Sequence, residues 1–220
     1  MYVLTIDQRG STADVDRVPD LIAALRALTP APFERSVGDE LQGVVEHAED
    51  VVEIALYALR SGHWYVGIGI GPYSSPRAEV PGRFRERLCG SAKSRGTRQR
   101  LGWSRAIVGG VRQYWPWTGD ASPRQGRAMA SANAQAVLRL IGRVVQQRTP
   151  AQWRVVDRLR ALQGGEGKHG SQKHVAQELG ITEQSVSRAV LRSGWLEEWA
   201  ARPAAAMLLD HAHSQIEGDR

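Results

Sequence analysis

The chain has 220 residues, 42% of them hydrophobic, which is enough for one large or two small domains with a real core. Its single cysteine, Cys89, excludes an intramolecular disulfide framework and a cysteine-based zinc cluster, and the longest apolar runs, such as Trp64 to Ile70, fall far short of a membrane span. The net charge of +6 is uneven: residues 1–70 carry 5 basic and 11 acidic side chains, residues 71–149 carry 15 and 3, and residues 150–220 carry 9 of each.

Only three of the 29 basic residues are lysines (Lys93, Lys168, Lys173). A GC-rich genome produces such an arginine bias, so arginine abundance is not in itself a sign of phosphate recognition. The opening "MYVLTIDQRG" has no basic stretch followed by an apolar one, so no signal peptide is read and a cytoplasmic location is expected.

Alternating and β-branched residues predict a strand over Tyr2 to Ile6, with Asp7 at its end. Pro19 fits a first helical turn, Leu21, Leu25 and Leu28 recur at helical spacing, and Pro30 and Pro32 close that helix. "PFERSV" and "ELQGVV" read as a hairpin turning near Gly38 and Asp39. "AEDVVEIALYALRSG" reads as a second amphipathic helix with Gly62 as its cap, and "WYVGIGIGPY" as a fourth strand. The order β-α-β-β-α-β is a split βαβ, or ferredoxin-like, arrangement. The expected fold class is α+β, with this domain over residues 1–72 and an all-α domain at the C-terminal end.

Residues 73–130 are basic and poorly patterned, rich in Arg and Gly, and hold the run "YWPWTGD". They would complete the first domain, form a nucleic-acid arm or stay unstructured. Translation of GC-rich DNA out of frame gives the same composition. A helix is expected within "RFRERLCGSAKSRG". From Ser131 the pattern returns: Val137, Leu140, Ile141 and Val144 share a face, which makes 131–148 a connector or dimerisation helix. Thr149 as cap and Pro150 at the first position open the next helix. Two short helices follow with a tight turn at Gly180, then a helix, a break at Pro203 and a last helix. Residues 149–220 form the expected second domain.

"QKHVAQELGITEQSVSRAV" has the spacing of a helix-turn-helix: small Ala176 at the crossing, Gly180 in the turn, and Val186 as anchor. Val175, Leu179, Ile181 and Ala189 supply the rest of its core, and Thr182 caps the second helix. That helix would present Thr182, Glu183, Gln184, Ser185, Ser187 and Arg188 to DNA, with Arg192 one turn later on a phosphate. Residues 149–194 resemble the helix-turn-helix of MarR-like regulators and of the fourth region of sigma factors, through "TPAQWRVVDRL", "AQELGIT" and "SVSRAV". The partner implied is double-stranded DNA, bound by a homodimer.

Asp7 and Asp39 end neighbouring strands, and paired carboxylates repel unless a cation lies between them. Oxygen ligands of this kind suit Mg²⁺. Backbone N–H groups of Gln8, Arg9, Gly10, Ser11 and Thr12, placed before a helix, would cradle phosphates. By alternation Glu40 points to the opposite face. "LTIDQRGST … RSVGDELQGVV … YVGIGIG" is similar to the palm-type domain of class III nucleotide cyclases and GGDEF diguanylate cyclases, and to the SatD family, where such a domain precedes a helix-turn-helix. The resemblance implies metal ligation by Asp7 and Asp39 and nucleotide contacts from Arg35 and Gly38, with a nucleotide and Mg²⁺ as ligand and cofactor. Only 32 residues separate Asp7 from Asp39, Val37 and Leu41 replace signature residues, and the cyclase Asn and Arg pair is not found. These departures favour binding over turnover, with no catalytic residue assigned. The resulting expectation is a DNA-binding transcriptional regulator with a nucleotide-sensing domain. The alternative is a nucleotidyl cyclase-type enzyme carrying a helix-turn-helix.

Overall fold

The computed structural model describes residues 1–11, 14–36, 38–70, 104–108, 123–163 and 171–217. The elements are β1 (Tyr2–Gln8), α1 (Val18–Leu28), β2 (Phe33–Arg35), β3 (Glu40–Val45), α2 (Ala48–Leu59), β4 (Trp64–Ile70), β5 (Ser104–Val108), α3 (Pro123–Gln146), α4 (Pro150–Gln163), α5 (Ser171–Leu179), α6 (Glu183–Ser193) and α7 (Trp195–Glu217). The fold is mixed α+β and mostly helical. The helix expected within residues 83–96 lies outside the described residues.

The sheet runs in the order β2-β3-β1-β4-β5, with every neighbouring pair antiparallel. Period-two alternation gives it two unlike faces. Tyr2, Leu4, Ile6 and Gln8 of β1 are buried, as are Leu41 and Val45 of β3 and Val66, Ile68 and Ile70 of β4. This face packs against Leu25 of α1, Ile54 and Leu56 of α2, Leu138 of α3 and Leu209 of α7 in one continuous core. Burying an aliphatic side chain of this size contributes roughly 1.5–3 kcal/mol, so that face dominates the energetics. Strand β5 falls in the stretch where no element was expected and pairs with β4 from Val66–Val108 to Ile70–Ser104.

Three further expectations need correction. The connector helix begins at Pro123, eight residues earlier than its periodicity suggested, and its inward residues are Ala130, Ala134, Leu138, Ile141 and Val145. Leu140, placed on the apolar face by sequence, is 66% exposed. The face assigned to a partner chain is thus covered by the chain's own α7, with which α3 makes the most extensive helix–helix contact. Second, Pro203 does not end a helix: α7 is continuous through it. A proline in a helix interior costs about 3 kcal/mol. Both ends of α7 offset this by packing, Trp195 in a second core and Ala205, Ala206, Leu209 and Ala212 in the first. Third, α2 ends at Leu59, and Gly62 forms a separate turn whose N–H donates to the Leu59 carbonyl at 3.1 Å.

The second core gathers Val155, Val156, Leu159, Val175, Ala176, Val186, Val190 and Trp195 from α4 to α7. A line of alternating charges joins it to the first. Arg148 donates from Nε to the Ser193 carbonyl at 2.8 Å and from Nη2 to Glu198 at 3.1 Å. Both side chains of this pair are 1% exposed. Arg202 bonds Glu198 and Glu53, and Glu53 also bonds Arg160. Burial is the largest influence on Glu53 and pushes its carboxyl up. Arg202 and Arg160 overcome it, so the group titrates below the usual carboxylate range. Arg60 adds a two-pronged pair with Asp157 at 2.8 and 2.6 Å and lies over the Trp153 ring at 4.2 Å.

Between α6 and α7, Gly194 takes a left-handed conformation with φ of 58°. A Cβ there would fall 2.7 Å from Cγ1 of Val144 on α3, so any other residue would strain the left-handed backbone and force the Val144 side chain to shift.

Removing one partner of a buried ion pair leaves an uncompensated charge and costs about 3–5 kcal/mol, whereas replacing both with apolar groups costs far less. Urea unfolding should therefore show Glu198→Ala losing about that amount, and Arg148→Met with Glu198→Leu losing much less. Equal losses in the two variants would contradict the pairing.

Candidate functional site

The sequence around Gly180 folds as its local chemistry dictates. Thr149 Oγ1 accepts from the Gln152 N–H at 3.3 Å while Gln152 Oε1 accepts from the Thr149 N–H at 2.8 Å, a reciprocal cap that opens α4. Helix α5 closes with the Ile181 N–H on the Ala176 carbonyl at 3.0 Å and the Gly180 N–H on Gln177 at 3.3 Å. Gly180 supplies the positive φ of 64° that this closure requires. The Thr182 hydroxyl then accepts from the Ser185 N–H at 3.2 Å and caps α6.

Val186 and Val190 turn α6 inward. Thr182, Glu183, Gln184, Ser185, Arg188 and Arg192 are exposed, and Ser187 is half-buried. One helix face therefore gathers the residues assigned to DNA. The hydroxyls of Thr182 and Ser185 bond each other at 2.9 Å, so part of their capacity is spent on the cap. Ala176, Val175 and Val186 are buried as expected, but Ile181 is 40% exposed, and Leu179 and Ala189 are half-buried. The core lacks Ile181 because that residue follows the left-handed turn and leaves α5 before α6 begins. No wing follows α6, since α7 starts at Trp195.

The acidic hairpin is arranged differently from its expected geometry. Strand β3 begins at Glu40, which sits opposite Asp7 in the β1–β3 register, so these two carboxylates share the outer face of the sheet. Asp39 lies one residue outside the strand, and its carbonyl accepts from the Gln8 N–H at 3.2 Å. Sequence alternation sets Glu40 on the face opposite Asp39, but Asp39 lies in the turn and β3, not β2, is the neighbour of β1, so the register puts Glu40 beside Asp7. The Glu40 carboxylate accepts from Gln42 at 2.6 Å. Among the described residues, no group of three or more His, Cys, Asp or Glu side chains is arranged to hold a metal.

The loop after β1 is already occupied by the chain itself. Gln8 is buried; its Nε2 donates to the Val15 carbonyl at 2.7 Å and its Oε1 accepts from the Arg17 N–H at 2.9 Å. The Arg9 N–H donates to the His63 carbonyl at 2.8 Å, and the Arg9 guanidinium lies over Tyr65 at 4.5 Å. Gly10 has φ of 66°. Gly38, at the hairpin tip, has φ of 61°. Ser11 is half-buried and Thr12 lies outside the described residues.

Helix α1 starts only at Val18, whose N–H is served by Asp16 at 3.1 Å. Asp14 is hydrogen-bonded by Arg17, and Asp16 by Arg35 at 2.5 Å, and both carboxyls titrate below their ordinary value for that reason. The helix N-terminus favours anions, but the chain's own carboxylates fill it. Asp7 and Glu40 are opposite each other in the β1–β3 register, and the Glu40 carboxylate is engaged by Gln42. The residues after β1 do not fit a phosphate cradle, and Arg35 is committed to Asp16.

Sequence reasoning missed Glu40 as the partner of Asp7, and the Arg148, Glu198, Arg202, Glu53 and Arg160 line altogether. Charged residues on amphipathic helices read as solvent-facing, and no local signal marks those that are not. Comparison with protein-family models, curated proteins and solved structures returned no match for this chain.

If Gln8 acts as a clamp, Gln8→Ala should cost about 1–3 kcal/mol, the penalty for leaving buried backbone partners unmet. It should also raise amide hydrogen exchange in α1 and the segment before it. Unchanged stability and exchange would show that the clamp carries no weight.

Proposed function

We propose that this protein is a DNA-binding transcriptional regulator, in which α5 and α6 form a helix-turn-helix and α6 reads the major groove. The observation that carries this reading is the outward row of Gln184, Arg188 and Arg192, with half-buried Ser187 beside it, on a helix whose other face holds Val186 and Val190 in a core. Glutamine and arginine match adenine and guanine edges, and Arg192 is placed for a phosphate. Residues 150–220 carry 9 basic and 9 acidic side chains, so affinity must come from placement more than from bulk charge. A homodimer would double the readout, and a cytoplasmic location goes with this role.

The strand order β2-β3-β1-β4, with a helix after β1 and another after β3, supports a ferredoxin-like, palm-type origin for the first 70 residues. The SatD-like arrangement of a cyclase-like domain before a helix-turn-helix is consistent with it. In this reading the N-terminal domain senses a ligand. Mg²⁺, where bound, would be held by Asp7 and Glu40. A nucleotide at the same hairpin rests on resemblance alone. The enzymatic alternative, a nucleotidyl cyclase-type activity, predicts cyclic product from ATP or GTP with Mg²⁺ that disappears in Asp39→Ala. Such product would overturn a sensor-only role.

The direct test is selection of preferred duplexes from a random DNA pool, followed by binding isotherms across salt concentrations. Arg188→Ala and Gln184→Ala should each cost roughly 1–3 kcal/mol on the preferred site and relax preference at single positions. Arg192→Ala should weaken all duplexes alike and reduce the salt slope by about one. A pool that yields no enriched sequence, or enrichment untouched by all three variants, would contradict the assignment.

A further inference from the structure

A cleft of about 530 Å³ opens between the sheet body and the first helix of the DNA-reading unit. Its size lies in the range of small-molecule sites, and such sites favour junctions between structural units. Leu21 and Ala24 of α1, Tyr57 and Ala58 of α2, Trp64 of β4 and Trp153 of α4 give it an apolar floor.

Arg17, Arg60 and Arg154 line this floor together with Asp20 and Asp157. Arg17 bonds Asp14 at 2.9 Å and lies in the field of Asp20. Arg60 and Asp157 satisfy each other through two hydrogen bonds, and Arg60 also covers the Trp153 ring. Arg154, on the same helix as Trp153 and Asp157, is exposed at the rim, and among the described residues it has no ion pair or hydrogen bond. Arg154 is thus the lining guanidinium left able to bond a single anionic group. Asp20 on the opposite wall disfavours a doubly charged phosphate by like-charge repulsion.

We propose that this cleft binds a small organic monocarboxylate, with its apolar body on Leu21, Tyr57, Trp64 and Trp153 and its carboxylate on Arg154. The occupant touches α1 and α2 on one side and α4 on the other. It therefore favours one placement of the DNA-reading unit against the sheet and changes DNA affinity by its differential binding to that placement. This regulatory role rests on the DNA-binding reading; the binding site itself does not.

The experiment uses the full chain. Monocarboxylates of five to ten carbons, linear, branched and cyclic, are titrated while tryptophan fluorescence and thermal stability are followed. The matching neutral amides, primary amines and inorganic phosphate serve as controls. At least one carboxylate should saturate both signals, with its amide, its amine and phosphate ten-fold or more weaker. Arg154→Gln should weaken that carboxylate ten-fold or more, Arg154→Lys should recover part of the loss, and Ala24→Phe, which fills the floor, should abolish binding. Circular dichroism of each variant guards against misfolding. No saturable carboxylate, or equal affinity in Arg154→Gln, overturns the site. Binding is read without DNA and DNA affinity without carboxylate, so the two proposals fail separately. A carboxylate that binds but leaves DNA affinity unchanged overturns the regulatory role alone.

Discussion

Charges taken out of water must find opposite partners or the fold does not form. Here that constraint is met by Arg148, Glu198, Arg202, Glu53 and Arg160, whose signs alternate from one residue to the next. Burial pushes the Arg148 guanidinium below its usual range, and Glu198 opposes that shift. Each carboxylate serves two guanidinium groups, so removing Glu198 or Glu53 alone takes a partner from two arginines at once. The residues come from the segment after α3, from α7, from α2 and from α4. The position of α4 to α6 relative to the sheet is thus an electrostatic consequence as much as a hydrophobic one.

Helix α7 is the covalent counterpart of this line. Its first turn places Trp195 in the core of the helical unit, and its later turns place Ala205, Ala206, Leu209 and Ala212 against the sheet body. Tyr2 at the start of β1 donates to Asp210 at 2.7 Å and its ring lies tilted beside that of His213 at 5.5 Å, so β1 and α7 meet. Trp153 packs against both cores and carries two guanidinium groups, Arg60 and Arg148, over its ring. A boundary at residue 149 describes where the chain changes from mixed to helical. It does not describe where packing stops, because α3 and most of α7 belong to the sheet's core.

The first 70 residues were legible because their signals are local: alternation in β1, β3 and β4, a proline at the start of α1, and a glycine turn. The caps at Thr149, Gly180 and Thr182 were legible for the same reason, since each bond spans three to five residues. Tertiary competition decided the rest. Pro203 reads as a stop until packing on both sides holds α7 together. Leu140 reads as core until Ala130, Ala134, Leu138, Ile141 and Val145 show that the buried stripe runs past it. For the candidate site, the outward face of α6 could be read directly from sequence. The hairpin could not, because which residue stands opposite Asp7 depends on the pairing of β3 with β1 and its register, which no local signal marks.

The charge line and α7 tie α4 to α6 and the sheet body into one unit. Hydrogen exchange of the full chain across a urea series tests this most directly. The account predicts that amides of α5 and α6 and amides of β1 and β4 lose protection at the same urea concentration, in one cooperative transition. Loss of protection in α5 and α6 at a urea concentration where β1 and β4 remain protected would contradict it.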